Sequence, residues 1–430
     1  MRRTVQALPG FFVKMAPLSE RLFISLDAME TAVRPPAQIR DLRLDVLRGL
    51  ALLIIFVDHI PGVIFAGMTP QAFGYADAAE AFVLIAGLSA YQAYSRKFAE
   101  AGVVRASLPI FNRVWQLYVT HLALVMLVTG IAAYAARRFG DPNYLEALAL
   151  DVFIADPVGA SLGVATLTFL PNYLDILPLY ILLLIGLPLA IVAVRVNWAA
   201  PLALSFGLYL AAQVTGLNLP NMQASRVWFF NPFAWQFIFV LGVVLAHLSA
   251  RGALDSLFAR PALVRGLTAA AAAYAAFSLL SVAPWRQIPA FANLILIDPA
   301  DLPVADKTNL SPLRLVDALA KAWLLAVLIP RGAAWLERGP ARLLAFAGRQ
   351  SLPVFVLGLV LSVISGVIIR ENGFAWSVQT LVVAGGIGLL IAFGALLDWQ
   401  GRAIRGEARP AQPAMASGDA QPPRLDPSTN

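Results

Sequence analysis

The sequence predicts an all-α membrane protein, a polytopic bundle of about ten transmembrane helices with both termini in the cytoplasm. Three observations lead to this fold class. Of the 430 residues, 59% are apolar and only 13% are charged, and the mean hydropathy is +0.73. Apolar runs of about 20 residues, the length that crosses a bilayer, recur along the chain. Most Lys and Arg residues lie between these runs, as topology signals do in membrane proteins.

The apolar runs divide the chain into three regions. Residues 1–38 are predicted to be a cytoplasmic extension without a signal-peptide pattern, residues 39–400 a ten-helix membrane domain, and residues 401–430 a disordered cytoplasmic tail. Segment 144–170 is apolar, but Pro157 and two glycines argue against an eleventh span and favour an interfacial or re-entrant segment. The predicted spans are 44–64, 76–94, 111–135, 175–194, 198–217, 231–250, 263–282, 313–331, 351–369 and 378–399.

The positive charges predict the orientation of the bundle. If the first span starts in the cytoplasm, 23 of the 32 Lys and Arg residues lie in cytoplasmic segments, 7 lie on the opposite side, and Arg48 and Lys321 lie within spans. Cytoplasmic loops of membrane proteins carry an excess of Lys and Arg. The bias therefore places both termini in the cytoplasm.

The composition also excludes several classes of protein. The formal net charge is +7, but the cations form no basic stripe interleaved with aromatic residues, so a nucleic-acid partner is not expected. The absence of cysteine excludes disulfides, iron–sulfur clusters and thiolate zinc sites. The three histidines, His59, His121 and His247, are scattered, and we predict no metal site.

The first span contains ionisable residues, which are costly in a membrane helix and are therefore functional candidates. Arg48 and His59 are 11 residues apart, three helical turns plus about 20°, so they lie on one face about 16 Å apart along the axis. Arg48 lies near the cytoplasmic end, where a guanidinium suits the phosphates of a nucleotide-bearing donor. His59, next to Asp58 near the outer end, suits proton transfer. For Asp45 the alternative is an i,i+3 ion pair with Arg48 that marks the start of the helix.

The second span begins with two carboxylates at i,i+3, Asp77 and Glu80, which the prediction places near the outer face and level with His59. They are suited to orienting the imidazole or balancing its charge. For Asp77 the alternative is a capping role at the helix N-terminus. Glu80 lies deeper in the span by about 4.5 Å.

Two further outer-side segments contain candidates for substrate binding. Tyr173 and Asp175 place a phenol and an acid where a span begins. Trp235 belongs to a segment of aromatic and amide residues, a composition that suits sugar stacking and also suits an ordinary interfacial belt of aromatic residues.

The helix after residue 311 carries three charged residues on one face. Arg314, Asp317 and Lys321 recur at i, i+3 and i+7. Lys321 lies some ten residues inside its span, so it requires a carboxylate such as Asp317 or an aqueous cavity. Either cation of this face suits a free carboxylate of the substrate or a developing oxyanion.

Several motifs together resemble a known family. The run from Asp45 to His59, with ten residues between Arg48 and His59, resembles the first-helix signature of the membrane-bound acyltransferase-3 superfamily. Taken with it, further segments resemble the OpgC family over about residues 39–400. These segments are 56–61, 79–83, 172–180, 228–236, 307–314 and 348–355.

The resemblance implies an inner-membrane O-acyltransferase that adds succinyl groups to osmoregulated periplasmic glucans. It implies His59 as the catalytic base and Arg48 as a residue that contacts the acyl-CoA co-substrate, with no permanently bound cofactor. The expected partners are the glucan acceptor, an acyl-CoA donor and the lipid bilayer. Succinyl-CoA is the donor that the resemblance implies. From depth and charge we add Asp58 and Glu80 as catalytic candidates, Asp45 as a donor-binding candidate, and a set of substrate-binding candidates: Asp77, Asp175, Tyr173, Trp235, Arg314 and Lys321.

Two other functions fit the same residues. One is an O-acetyltransferase that acts on another envelope polysaccharide. The other is a transporter in which the buried charges form a proton-coupled pathway. The long basic N-terminal extension departs from the family pattern but leaves the motif positions untouched.

Overall fold

The computed structural model describes residues 41–222, 226–282 and 306–404. The predicted extension 1–38, the tail after residue 404 and the outer-side cation Arg286 lie outside the described residues. Within those ranges the chain is mostly helical. One short antiparallel pair joins β1 (Pro220–Asn221) to β2 (Arg226–Val227), with Pro220 opposite Val227.

The structure describes fifteen α-helices. In chain order they are α1 (Leu42–Asp58), α2 (Ala78–Glu100), α3 (Gly102–Phe139), α4 (Asn143–Glu146), α5 (Asp151–Ala155), α6 (Pro157–Ala165), α7 (Ile176–Val196), α8 (Ala199–Thr215), α9 (Pro232–Ala250), α10 (Ala253–Phe258), α11 (Pro261–Val282), α12 (Pro312–Leu328), α13 (Gly339–Arg349), α14 (Ser351–Glu371) and α15 (Trp376–Ile404). Short 3₁₀ helices cover Ile64–Met68, Pro70–Ala72 and Ala334–Glu337.

Each of the ten predicted spans overlaps a helix, although the first, 44–64, extends beyond α1, which ends at Asp58 and leaves His59 in the turn that follows. Six of the described helices, α3, α7, α9, α11, α14 and α15, are long and apolar enough to cross a membrane. Helices α1, α8 and α12 have 17 residues each, slightly fewer than the roughly 20 that a span requires. The six helices identify a polytopic membrane protein, and the number of ten spans and the cytoplasmic termini stay predictions.

The apolar segment 144–170 contains no helix of spanning length. It contains three short helices: most of α4, which has 4 residues, then α5 with 5 residues and α6 with 9 residues. Asp156 caps α6 by accepting a bond from Gly159 N, and Pro157 occupies the first turn, where its missing N–H leaves no helix bond unmade. The prediction that this segment is not an eleventh span agrees with these lengths.

The helices group into two compact units. The first contains Ile64–Arg331, and the second contains Leu42–Val63 together with the chain from Gly332 onward. In the first unit α2 packs along α9, α3 along α7, and α11 along α12. Val83, Trp235 and Ile238 are fully buried there. The first described helix, α1, therefore belongs to the same unit as α13, α14 and α15.

In the second unit α1 packs against α13, α14 and α15, with the closest approach at α13. A Cβ at Gly348 would lie 1.8 Å from Asp45 O, and a Cβ at Gly49 would lie 2.0 Å from Leu344 O. The two helices therefore touch through their backbones. Only glycine permits this approach, because any side chain at these positions would push the helices apart.

We expect Gly348→Ala to destabilise the protein by about 1–3 kcal/mol, the usual cost of overpacking. The matched control is Gly388→Ala on α15, where an added Cβ meets no atom within 4 Å. That substitution should leave stability unchanged or raise it, because alanine favours a helix more than glycine does. Thermal unfolding of the detergent-solubilised variants measures both. Equal melting temperatures would contradict the close backbone contact.

Candidate active site

Four charged side chains form a buried network at the start of α2, which we call the α2 cluster: Asp77, Glu80, Lys307 and Arg314. Lys307 Nζ lies 2.7 Å from Asp77 Oδ2, and Arg314 Nη2 lies 2.9 Å from the same oxygen. Arg314 Nε donates to Glu80 Oε1 over 2.7 Å. Two cations thus face two carboxylates at the short distances of charge-assisted hydrogen bonds.

The same carboxylates build the N-terminus of α2. Asp77 Oδ1 accepts a hydrogen bond from Ala79 N over 2.8 Å, and Glu80 Oε2 accepts one from Asp77 N over 2.9 Å. This is a capping box, in which residues N-cap and N3 satisfy each other's backbone donors. The capping role predicted as the alternative for Asp77 is confirmed. Both oxygens of Glu80 are engaged, and its side chain is fully buried.

A second ion pair lies beside the α2 cluster. Lys321 Nζ donates to Asp317 Oδ2 over 2.7 Å and to Ala76 O over 3.0 Å. Ala76 N in turn donates to Asp317 Oδ2 over 2.8 Å. The predicted pairing of Lys321 with Asp317 is confirmed, and the pair holds α12 against the residue next to Asp77.

Lys307 is presented by a loop that the rest of the first unit holds in place. Asp306 accepts two backbone N–H bonds from its own loop. Asn231 Nδ2 donates to Asn309 Oδ1 over 2.7 Å, and Trp235 Nε1 donates to Lys307 O over 3.1 Å. Trp235 is 0% exposed, so its ring is enclosed by protein and offers no face for sugar stacking in this conformation. The indole positions the Lys307 loop.

The remaining outer-side candidates lie around the start of α7. Asp175 is buried there and interacts electrostatically with Lys307. Tyr173 adopts a left-handed backbone conformation with φ 69°. Burial raises the pKa of the Tyr173 phenol, so this group stays protonated and can donate a hydrogen bond at neutral pH.

The three cations near the start of α2 differ in exposure. The side chain of Arg314 is 10% exposed, whereas those of Lys307 and Lys321 are 29% and 33% exposed. Arg314 donates to two carboxylates, and each lysine pairs with one. A substrate that reaches this region therefore meets the two ammonium groups before the guanidinium.

His59 lies in the second unit, directly after Asp58 ends α1. Its Nδ1 lies 2.7 Å from Ile55 O. A carbonyl oxygen only accepts hydrogen bonds, so Nδ1 carries the proton in the neutral ring, and Nε2 carries the lone pair. The backbone one turn earlier thereby fixes the tautomer that a general base requires.

Arg48 and Asp45 also lie in the second unit. Arg48 Nη1 lies 3.7 Å from Asp45 Oδ1, which confirms the predicted i,i+3 ion pair. Asp45 is buried and also lies 3.6 Å from Arg349 Nε. Arg349 Nη1 also lies 3.6 Å from Asp398 Oδ1. This contact was not predicted from the sequence.

Four charged residues of these clusters were not among the predicted site residues: Lys307, Arg349, Asp398 and Arg402. Two signals could have indicated them. Lys307 and Arg349 lie in segments that carry the family resemblance. Asp398 and Arg402 recur at i,i+4 near the end of an apolar helix, the spacing of a local ion pair.

The fold and the charged clusters define a polytopic membrane protein with ionisable residues buried inside its helical units. The model of the family described as OpgC protein matches residues 40–402. The chain belongs to the OpgC protein family, which indicates an acyltransferase that modifies a glucan. No curated protein and no solved structure matches the chain.

We expect Arg314→Gln to lower the free energy of unfolding by about 3–5 kcal/mol, because it leaves Glu80 buried without its cation. The double variant Glu80→Gln/Arg314→Gln should recover part of this loss, since both charges are then absent. Thermal unfolding in detergent compares the two variants. Arg96→Gln is the control, because the Arg96–Glu100 pair is exposed and such pairs contribute little to stability. A double variant less stable than Arg314→Gln would contradict the pairing.

Proposed function

We propose that the protein transfers succinyl groups from a cytoplasmic acyl thioester, succinyl-CoA, to hydroxyl groups of osmoregulated periplasmic glucans in the bacterial inner membrane. Membership of the OpgC protein family supports the reaction class and the glucan acceptor. The hydrogen bond from His59 Nδ1 to Ile55 O carries the mechanistic part of the proposal, because it leaves Nε2 as the basic nitrogen.

In the proposed reaction His59 Nε2 removes the proton of a glucan hydroxyl as its oxygen attacks the thioester carbonyl. The new carbon–oxygen ester bond forms, the carbon–sulfur bond breaks, and the thiolate of coenzyme A leaves with the electron pair. The proton held by His59 then passes to the thiolate. Asp58, the neighbouring residue, is proposed to stabilise the positively charged imidazolium between these steps.

Arg48 is proposed to hold the donor. Its guanidinium lies near the end of α1 that the charge bias predicts to be cytoplasmic, and Asp45 orients it. A guanidinium forms bidentate, charge-assisted hydrogen bonds with phosphate. Acyl-CoA is a co-substrate in this scheme, and the transfer requires no permanently bound cofactor.

The acceptor-side residues divide into two groups by exposure. Lys307, Lys321 and the Tyr173 phenol are proposed to contact the glucan or the free carboxylate of the succinyl group. The buried groups Asp77, Asp175, Glu80, Arg314 and Trp235 are proposed to position them. For Glu80 this replaces a direct catalytic role, because both of its oxygens are already hydrogen-bonded inside the α2 cluster.

We expect His59→Asn to reduce glucan succinylation about 10²–10⁴-fold, the usual contribution of a general base. Asparagine retains a donor near the Nδ1 position, which preserves the bond to Ile55 O, but it cannot accept the proton. Cells that lack the gene are complemented with the intact protein, His59→Asn or the surface control Arg96→Gln at equal membrane abundance. Charge and mass of the isolated periplasmic glucans give the readout.

The possible outcomes test the glucan acceptor and the role of His59 separately. Anionic, succinyl-sized adducts with the intact protein and Arg96→Gln, but not with His59→Asn, agree with both. Unmodified glucans in all strains would contradict the glucan acceptor. Full modification with His59→Asn would contradict the role of His59, while the assignment of the glucan as the acceptor would still hold.

The free carboxylate of a succinyl donor provides a second test. Lys321→Gln combined with Asp317→Asn removes the ammonium without leaving a buried carboxylate unpaired. We expect the rate with succinyl-CoA to fall about 10- to 100-fold, the loss of one or two charge-assisted hydrogen bonds, while the rate with acetyl-CoA stays the same. Transfer assays in reconstituted membranes compare the two donors. An equal effect on both donors would contradict carboxylate recognition by Lys321.

A further inference from the structure

Five charged side chains meet at one end of the second unit, where α1 begins and α13 and α15 end. Arg349 lies 3.6 Å from both Asp45 and Asp398. Arg48 Nη1 lies 3.7 Å from Asp45 Oδ1, and Arg402 Nη2 lies 3.3 Å from Asp398 Oδ2. We call these five residues the arginine cluster. It lies at the end of the helices that the charge bias predicts to be cytoplasmic.

The ion pairs of the arginine cluster are long. Charge-assisted N–H···O bonds measure about 2.7–2.9 Å, as those of the α2 cluster do. Among the described residues, the buried atoms Arg349 Nε, Arg402 Nε and Asp398 Oδ2 have no hydrogen-bond partner. Buried polar groups in folded proteins are nearly always hydrogen-bonded. The guanidinium groups of Arg349 and Arg402 therefore retain donors for a further acceptor.

The four ion pairs of the arginine cluster join three arginines to two aspartates. A phosphate monoester carries about −1.5 to −2 charges at neutral pH and presents several acceptor oxygens. The planar fork of a guanidinium matches two of those oxygens at once. Charge and geometry both favour a phosphate group as the missing acceptor.

An aromatic ring adjoins these cations on α13. The guanidinium carbons of Arg342 and Arg349 lie 5.6 Å and 6.0 Å from the centroid of the Phe346 ring. Their spacing of four and three residues places all three on one face of the helix. Aromatic rings and guanidinium planes stack on nucleobases. This face thus offers a stacking surface next to the phosphate-binding groups, a combination typical of nucleotide recognition.

The backbone contact between α1 and α13 builds the site. Gly348 packs directly against Asp45 O, so the next residue, Arg349, is placed beside the Asp45 carboxylate. Asp398 and Arg402 lie one turn apart on α15 and face the same point. Residues from three helices therefore converge, although they are distant in the sequence.

We propose that Arg349 and Arg402, with Phe346 and Arg342, bind the phosphorylated nucleotide portion of the acyl donor, and that Asp45 and Asp398 orient the two guanidinium groups. The inference rests on the proposed function in taking the donor to be a thioester of coenzyme A. It adds residues of α13 and α15 to a donor site that the sequence assigned to α1 alone.

The test is equilibrium binding to the purified full-length protein in nanodiscs of zwitterionic lipid. Coenzyme A is compared with pantetheine, which has the same thiol arm but no phosphate and no nucleobase. The variants are Arg349→Gln, Arg402→Gln and the control Arg260→Gln, an exposed arginine that the charge bias also places in the cytoplasm. Arg402 is 43% exposed, so its substitution should leave the fold intact, and thermal unfolding verifies this.

We expect the unmodified protein to bind coenzyme A more tightly than pantetheine. Arg349→Gln and Arg402→Gln should each weaken coenzyme A binding about tenfold or more, the loss of a charge-assisted hydrogen bond, and leave pantetheine binding unchanged. Arg260→Gln should change neither. Unchanged coenzyme A binding, or an equal loss for both probes, would overturn the proposal.

Phosphate groups of anionic lipids share this chemistry, and a second arm separates them from the nucleotide. The measurement is repeated in nanodiscs that contain phosphatidylglycerol at constant ionic strength. If this lipid weakens coenzyme A binding to the unmodified protein but not to Arg402→Gln, the cluster binds lipid headgroups and the proposal fails. Equal coenzyme A affinity in both nanodiscs supports the nucleotide site.

The binding readout is independent of acyl transfer, so the two proposals can fail separately. Coenzyme A binding that depends on Arg402, together with glucans that are never succinylated, would overturn the proposed function and leave this site standing. Glucan succinylation that depends on His59, together with coenzyme A binding that is unchanged in Arg349→Gln and Arg402→Gln, would overturn this site alone.

Discussion

Neutralisation of buried charge at the start of α2 fixes much of the first unit. Asp77 and Glu80 lie in an apolar helical environment, where an isolated carboxylate is costly. Their cations, Lys307 and Arg314, come from positions 230 or more residues later in the chain. The loop before α12 must therefore lie against α2, and the bonds from Trp235 and its neighbours hold it there.

The two charged clusters differ in a way that bears on their roles. The α2 cluster balances its charges with short hydrogen bonds, and a closed network of this kind suits the positioning of neighbouring groups. The arginine cluster has longer ion pairs, and among the described residues its buried Arg349 Nε and Arg402 Nε make no hydrogen bond. An arrangement of this kind suits the recognition of an anion, because donors remain for it.

The geometry of His59 bears on its proposed role as a base, because a backbone carbonyl sets which ring nitrogen carries the proton. In hydrolytic triads a carboxylate fixes the tautomer of the histidine. Here the carbonyl of Ile55 accepts the Nδ1 proton, since His59 follows the last turn of α1. A backbone carbonyl fixes the tautomer without adding a further charged group beside the imidazole.

The sequence by itself determined the helical membrane class, because apolar runs of spanning length are a local property, and each predicted span overlaps a helix. It also determined the Asp77 cap and the pairs Asp45–Arg48 and Asp317–Lys321, because residues three or four positions apart share a helix face. Only the tertiary structure decided that Lys307 meets Asp77, that Arg349 meets Asp45 and that the Trp235 ring is enclosed. Helical periodicity shows which side of a helix carries a charge, but packing between distant segments decides what that side faces.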